Sequence, residues 1–156
     1  MLFEEAARLV ANRGYTDVRT FSGGIPAWGK AGFKLDTSRA LPEVAVESVS
    51  IDEFKKLFSK AAVVDIRIPS LYQLGLYSQY MRTEIQKTSA DHRKKYHRKI
   101  PLSRLSKDYV KIAKDRKIIV VDHNGKQSKL ACKFLSNKGF RNLYYLEGGF
   151  MALAGH

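Results

Sequence analysis

The stretch KIIVVDHNGKQS, Lys117 to Ser128, contains the pattern that decides the fold. Its first half is apolar and β-branched, which predicts a short strand that is buried on both faces. Its second half, Asp122 to Ser128, is a polar turn with a central glycine, and a helical pattern follows it. A strand that passes through a turn into a helix is the repeating element of a parallel sheet.

Two similar elements lie earlier in the chain. Ala61 to Val64 is a second apolar strand, and it runs directly into Asp65. Before it, LPEVAVESVS (41–50) predicts a strand and then a helix that begins after Ser50, with Ile51, Phe54, Leu57 and Phe58 on one face. Apolar strands that alternate with helices predict an α/β fold in which helices cover both faces of the sheet. Ligands bind such sheets at the carboxyl ends of the strands, which here indicates Asp65 and the turn 122–128.

The chain also contains an internal repeat. EEAARLVANRGYTDVRTFSGGIPAW, Glu4 to Trp28, is similar to KLACKFLSNKGFRNLYYLEGGFMAL, Lys129 to Leu153, at an offset of 125 residues. Each copy predicts a helix, a glycine where that helix ends, a short strand and a Gly-Gly turn. We expect Trp28 and its counterpart Leu153 to be core anchors. The first copy alone would expose several apolar side chains, so we expect it to cover an apolar face of the complete domain or to pair with another copy.

Composition narrows the possible functions. The chain of 156 residues has 28 Lys and Arg against 15 Asp and Glu, a net charge of +13, which favours an anionic partner. No recognised nucleic-acid-binding motif accompanies this charge, so a nucleic-acid site is not expected. The lone cysteine, Cys132, excludes an internal disulfide. The sequence carries no membrane-spanning run and no secretory signal, which predicts a soluble protein, cytoplasmic or periplasmic.

Four motifs together resemble one known family. They are VVDIR (63–67), IPLSRL (100–105), KGFRNLYYLEGG (138–149) and, in the first copy, RGYTDVRTFSGGIPAW (13–28). In this order they resemble the rhodanese-like sulfurtransferase family, as a tandem-repeat type with a truncated first repeat. The resemblance implies a three-layer fold with a central five-stranded, mainly parallel sheet. It also implies a remnant of a first repeat at residues 1–36, a linker at 37–44 and a complete domain at 45–156.

The resemblance implies where the active site lies and shows that it is altered. The family pattern after the fourth strand is Cys-x-x-Gly-x-Arg-Ser, in which a thiolate accepts sulfane sulfur at a helix N-terminus. This chain instead has Asp122, His123, Asn124, Gly125, Lys126, Gln127 and Ser128. A carboxylate cannot accept sulfane sulfur, so we expect an inactive domain that acts as a binding or regulatory module. The alternative is part of a tandem sulfurtransferase whose active cysteine lies in the repeat truncated before Met1.

Individual residues of the altered site carry further expectations. Asp122 should fill its own anion cradle and accept hydrogen bonds from the turn amides; a role as a phosphotransferase-type nucleophile is the weaker alternative, because no second acid stands beside it. Cys132 lies on the helix after the turn and should be a core residue. Asp65 and Arg67 form the Asp-x-Arg mark of the family, and the resemblance implies a structural role for the pair.

The segment from Arg82 to Lys99 concentrates positive charge, with seven basic residues against two acids. It could bind an acidic protein partner or a small anion, and the alternative is a solvated loop or a fraying helix. The third strand is expected to begin just after it, at Ile100. Two of its residues, His92 and His97, are five positions apart, which does not place them on one helical face for a metal. Neither a metal nor a cofactor is expected. The candidate binding residues are Arg82, Arg93, Lys94, Lys95, Arg98 and Lys99.

Overall fold

The computed structural model describes residues 2–35, 44–72 and 79–153. The chain divides into two compact units, Met1–Ala40 and Leu41–His156, called here the small unit and the large unit. The predicted linker, residues 37–44, falls at this boundary, and all of it except Val44 lies outside the described residues. In the described part of the chain, no helix is long and apolar enough to cross a membrane.

The small unit contains two helices, α1 (Leu2–Ala11) and α2 (Gly24–Lys30). The strands of the large unit are β1 (Glu47–Val49), β2 (Ala62–Asp65), β3 (His97–Lys99), β4 (Ile118–Val121) and β5 (Leu143–Leu146). Its helices are α3 (Ile51–Leu57), α4 (Pro69–Tyr72), α5 (Arg82–Lys87), α6 (Ala90–Tyr96), α7 (Leu102–Asp108), α8 (Lys126–Asn137) and α9 (Gly149–Leu153), and a 3₁₀ turn spans Tyr109–Lys111.

The five strands form one sheet in the order β1-β5-β4-β2-β3, and every neighbouring pair is parallel. The predicted five-stranded parallel sheet is therefore confirmed. Every residue of β2 and of β4 is buried, which explains why both strands are apolar, apart from Asp65 at the end of β2, and do not alternate with polar residues.

Helices cover both faces of this sheet, as predicted. On one face Val63 and Ile119 pack in a core that includes Phe54 of α3. On the opposite face Val64 and Leu135 belong to a second core, built mainly with α7 and α8. The result is three layers around a central sheet, the standard way for such elements to bury their apolar surfaces.

Helix α3 begins where the sequence predicts. The Ser50 hydroxyl accepts the Glu53 amide at 3.3 Å, and the Glu53 carboxylate accepts the Ser50 amide at 2.9 Å. This capping box satisfies amide groups that the first turn of a helix leaves unpaired. The helix then buries Phe54 and the residue that caps its other end, Phe58, against the sheet.

The third strand lies earlier than predicted. It spans His97–Lys99 and not residues from Ile100 onward, and it pairs with β2 at the edge of the sheet. The segment before it forms α5 and α6, so it is helical and not a loop. Local sequence did not indicate this strand because HRK is not apolar, and its place at an edge spares it from full burial.

Two predictions for the small unit are also wrong. Its second element is not a strand: the described residues of this unit contain no strand, whereas the equivalent β5 lies between β1 and β4, which supply its backbone partners. Trp28 is 38% exposed and contacts Phe21 and Phe33 at ring-centroid distances of 5.6 and 4.7 Å, whereas its counterpart Leu153 is buried as predicted. The described residues of its own unit contain no sheet against which Trp28 could pack.

The two Gly-Gly turns of the repeat share one backbone conformation. The φ angles are 82° and 56° at Gly23 and Gly24, and 68° and 59° at Gly148 and Gly149. Gly149 also approaches the turn after β4, and a Cβ atom there would lie 2.6 Å from the Asn124 nitrogen. A glycine is therefore required at position 149 both by its positive φ and by the nearness of another backbone segment.

We predict that Gly149→Ala lowers the free energy of unfolding by more than about 3 kcal/mol, since a strained left-handed backbone costs about 1–3 kcal/mol before any clash. Gly139→Ala is the matched control: its φ is also positive, at 80°, but no atom lies within 4 Å of the added Cβ. It should cost only about 1–2 kcal/mol. Urea denaturation of both variants measures the difference, and equal losses would contradict the close approach at Gly149.

Candidate functional site

The candidate site lies at the carboxyl edge of the sheet, between β2 and β4. From β2 the chain continues to its neighbour β3, whereas from β4 it continues to β5 on the other side. Parallel sheets bind ligands in the crevice at such a switch of direction. Asp65 ends β2 and pairs in register with Val121, the residue before Asp122. The fold therefore brings together the two positions that the sequence indicated.

Asp122 is 1% exposed, and its carboxylate accepts three hydrogen bonds from the turn that follows it. The amide of Gly125 donates to Oδ1 at 2.6 Å, the amide of Gln127 donates to Oδ2 at 2.8 Å, and the Ser128 hydroxyl donates to Oδ1 at 3.1 Å. The prediction that the turn amides donate hydrogen bonds to Asp122 is confirmed. The carboxylate caps the first turn of α8, where unpaired amides and the helix dipole favour a negative charge.

The Gly-Gly turn after β5 forms the wall of this site. The amide of Phe150 donates to the Asp122 carbonyl at 3.0 Å, and the amide of Met151 donates to the His123 carbonyl at 2.9 Å. Gly149 lies against the same turn. The sequence indicated a turn here but not its contact with the site. The same Gly-Gly pair recurs at Gly23 and Gly24, and this repetition was the sequence signal that both turns require glycines for the same structural reason.

Asp65 and Arg67 form a buried ion pair beside the turn. The Arg67 guanidinium donates to both carboxylate oxygens, with Nη2 to Oδ2 at 2.7 Å and Nε to Oδ1 at 3.0 Å. It also lies over the Phe150 ring, 4.0 Å from the centroid, and donates to the Leu71 carbonyl. The pair thus connects the end of β2 to α9, whose first residues hold the Asp122 turn.

Cys132 cannot replace the missing thiolate. It is fully buried on α8, and its thiol donates to the Tyr144 carbonyl at 3.4 Å. Burial raises the pKa of the Cys132 thiol to about 12, so the thiol form persists at neutral pH. The prediction of a core residue is confirmed.

The six basic residues proposed for binding do not play one role. The Arg93 guanidinium donates to the carbonyls of Ile85 and Thr88, and the Arg98 guanidinium donates to those of Lys94, His97 and Lys111. These two arginines therefore connect backbone segments. The other four have exposed side chains: Arg82, Lys94, Lys95 and Lys99.

His92 and His97 lie close together although their spacing separates them on a helix. Their ring centroids are 5.4 Å apart, because α6 ends at Tyr96 and His97 already belongs to β3. Each Nε2 is 3.1 Å from a backbone carbonyl, that of Ala61 for His92 and that of Phe58 for His97. Among the described residues, no group of three metal-ligating side chains is found.

The sequence matches one known protein family. The model of the rhodanese-like domain family matches residues 50–156. This stretch is well over half of the sequence and contains the whole candidate site. The chain belongs to the rhodanese-like domain family.

Solved structures with this fold are similar at low sequence identity. A rhodanese-related protein from Thermoplasma volcanium has 22% identity and a TM-score of 0.52, over 70% of this chain and 91% of that one. A rhodanese-like domain protein from Staphylococcus aureus has 18% identity and a TM-score of 0.52, over 69% and 91%. Reduced CoADR-RHD from Bacillus anthracis has 18% identity and a TM-score of 0.50, over 83% of this chain but only 25% of that one. No match was found among curated proteins.

We predict that the filled cradle excludes external anions. Thiosulfate and phosphate should show no saturable binding to the native chain and measurable binding to Asp122→Asn, because the amide removes the negative charge and replaces one acceptor by a donor. Asp115→Asn is the control, since it makes the same charge change at an exposed ion pair with Arg116. Isothermal titration gives the affinities. Equal binding by the native chain and Asp122→Asn would show that Asp122 does not block the cradle.

Proposed function

We propose that this chain is a rhodanese-like domain without sulfurtransferase activity that acts as a binding or regulatory module. One observation carries the proposal: the position that needs a sulfur nucleophile holds the Asp122 carboxylate, which three turn donors already engage. Sulfur transfer requires a thiolate that forms a sulfur–sulfur bond and then releases the outer sulfur to an acceptor. A carboxylate oxygen has no corresponding step.

The surroundings of Asp122 support the same conclusion. Gln127 stands where the family pattern has an arginine, so this position of the turn lacks the guanidinium that would attract an anionic sulfur donor. An incoming anion would have to displace a buried carboxylate from charge-assisted hydrogen bonds, which are the stronger kind. Cys132 offers no substitute, because its thiol is buried with a high pKa.

We predict that the native chain transfers no sulfur from thiosulfate to cyanide, whereas Asp122→Cys gains measurable transfer, because the turn amides are already directed at the side chain of position 122. In the variant the thiolate takes the outer sulfur, releases sulfite, and passes the sulfur to cyanide as thiocyanate. Adding Gln127→Arg should raise the rate further by restoring a cation. Thiocyanate formation is the measurement.

Asp122→Ser is the matched control, since a serine has the size of a cysteine but cannot form a persulfide. Activity in the native chain or in Asp122→Ser would contradict the proposal. Activity confined to the cysteine variants would support it and would also demonstrate that the scaffold of the site is intact.

A second candidate function is supported by the small unit. Phe21, Ile25 and Trp28 are 52%, 68% and 38% exposed, although their repeat counterparts Leu146, Phe150 and Leu153 are buried. The shared Gly-Gly geometry supports a common origin for these two segments. The small unit would then be the closing element of another rhodanese-like domain, and the chain part of a tandem sulfurtransferase whose cysteine belongs to that domain.

The coding sequence around this chain decides between the two functions. A preceding stretch in the same reading frame with a Cys-x-x-Gly-x-Arg-Ser turn would support the tandem enzyme. If no such stretch precedes this chain, we propose that a second copy of the chain covers the apolar side chains of the small unit. In that case, sedimentation should show self-association that Phe21→Ser weakens, and a monomer at all concentrations would contradict it.

We further propose that the exposed basic residues of the 82–99 segment bind an acidic protein partner. Lys94 and Lys95 lie side by side on α6 with exposed side chains, which leaves their charges available to a partner. A fluorescent oligoglutamate peptide is a suitable probe. Its binding should weaken with added salt and with Lys94→Glu/Lys95→Glu, but not with Lys129→Glu on α8. If neither added salt nor the Lys94→Glu/Lys95→Glu change weakened peptide binding, the segment would not be a dedicated binding surface.

A further inference from the structure

A cavity of about 380 Å³ lies on the β2–β3 side of the large unit. It is lined by residues of β2, β3, α5 and α6, whereas the Asp122 turn follows β4. Its volume is within the range of small-molecule sites, which begins at about 300 Å³. Asp65 borders both regions, but ligand binding in this cavity does not depend on whether the Asp122 turn is catalytically silent.

One part of the cavity is apolar. Val63 of β2 is buried in the core on this face of the sheet, and Ile85 of α5 packs against the same core. Both side chains contribute to the lining. An apolar surface of this kind favours a ligand with a hydrocarbon body, because an inorganic ion would have to leave water without gaining hydrogen bonds there.

Positive charge dominates the polar part. Arg93 and Lys99 line the cavity, and the Arg93 guanidinium is held in place by the Ile85 and Thr88 carbonyls. Asp65 is the acid among the described lining residues, but both of its oxygens accept hydrogen bonds from Arg67. The cavity is thus lined by the positioned guanidinium of Arg93 and by Lys99, while its carboxylate is already neutralised by a buried partner.

His97 provides a built-in reporter of charge in this cavity. Its ring lines the wall, and its Nε2 lies 3.1 Å from the Phe58 carbonyl. Burial, together with the charges of His92, Arg93 and Arg98, lowers the pKa of His97 to about 4, although the hydrogen bond to the Phe58 carbonyl acts in the opposite direction. A negative charge bound nearby would favour the protonated ring and raise this pKa.

We propose that this cavity binds a small organic carboxylate, with its hydrocarbon body against Val63 and Ile85 and its carboxylate near Arg93 and Lys99. Recognition then combines burial of apolar surface with a charge interaction in a partly desolvated site, a pairing that neither a neutral molecule nor an inorganic anion can reproduce. The ligand class follows from the lining alone.

Benzoate is the probe, with benzamide as its neutral analogue and inorganic phosphate as the purely ionic one. We expect benzoate to shift the ring signals of His97 in NMR spectra of the full chain and to raise the His97 pKa above its unliganded value of about 4. Benzamide and phosphate should bind at least roughly tenfold more weakly, a difference of about 1.4 kcal/mol.

Two variants locate the charge interaction. Lys99→Gln and Arg93→Gln should each weaken benzoate binding roughly tenfold, a change of about 1.4 kcal/mol. Lys87 is an exposed residue of α5, two positions from Ile85, and Lys87→Gln should leave benzoate binding unchanged. If Arg93→Gln unfolds because its carbonyl contacts are lost, Lys99→Gln and the comparison with benzamide still test the proposal. The proposal would be overturned if excess benzoate left the His97 signals unchanged, or if benzamide or phosphate bound as tightly as benzoate. It would also be overturned if Lys87→Gln weakened benzoate binding as much as Lys99→Gln.

Discussion

Amides that are shielded from water at the start of a helix need hydrogen-bond acceptors, and in this protein the carboxylate of Asp122 accepts two of them at α8. The neighbouring contacts depend on this interaction. With the turn held close to its own strand, its carbonyls become acceptors for Phe150 and Met151, and Gly149 can approach without a side chain. Phe150 in turn supports Arg67, which neutralises Asp65 at the end of β2.

Under the proposed function, this arrangement explains how the turn can keep its shape without a thiolate. The cradle needs a negative charge at its centre, and a carboxylate meets that need as a thiolate would. Sulfur transfer has an additional requirement, a soft nucleophile that can bind a second sulfur atom, and an oxygen acid does not meet it. Packing around α8 and α9 requires the first property only, so the fold does not depend on the second.

The two units show the same local geometry with opposite consequences. Gly23 and Gly24 repeat the conformation of Gly148 and Gly149, because left-handed backbone is specified by the glycines themselves. Burial is not specified in this way. Leu146 and Phe150 enter a core because β1, β4 and α3 surround them. Phe21 and Ile25 have no such elements in the described part of their own unit, and they are exposed.

The sequence by itself determined the features that depend on neighbours along the chain. The apolar strands β2 and β4, the capped start of α3 at Ser50, and the location of the altered turn at Asp122 were all predictable from local patterns. Only the tertiary structure decided the features that depend on distant partners. These are the edge strand at His97–Lys99, the exposure of Trp28, and the use of Arg93 and Arg98 as backbone donors. The charge of a side chain follows from its residue type. The carbonyl group or strand that contacts this side chain comes near it only when the chain folds.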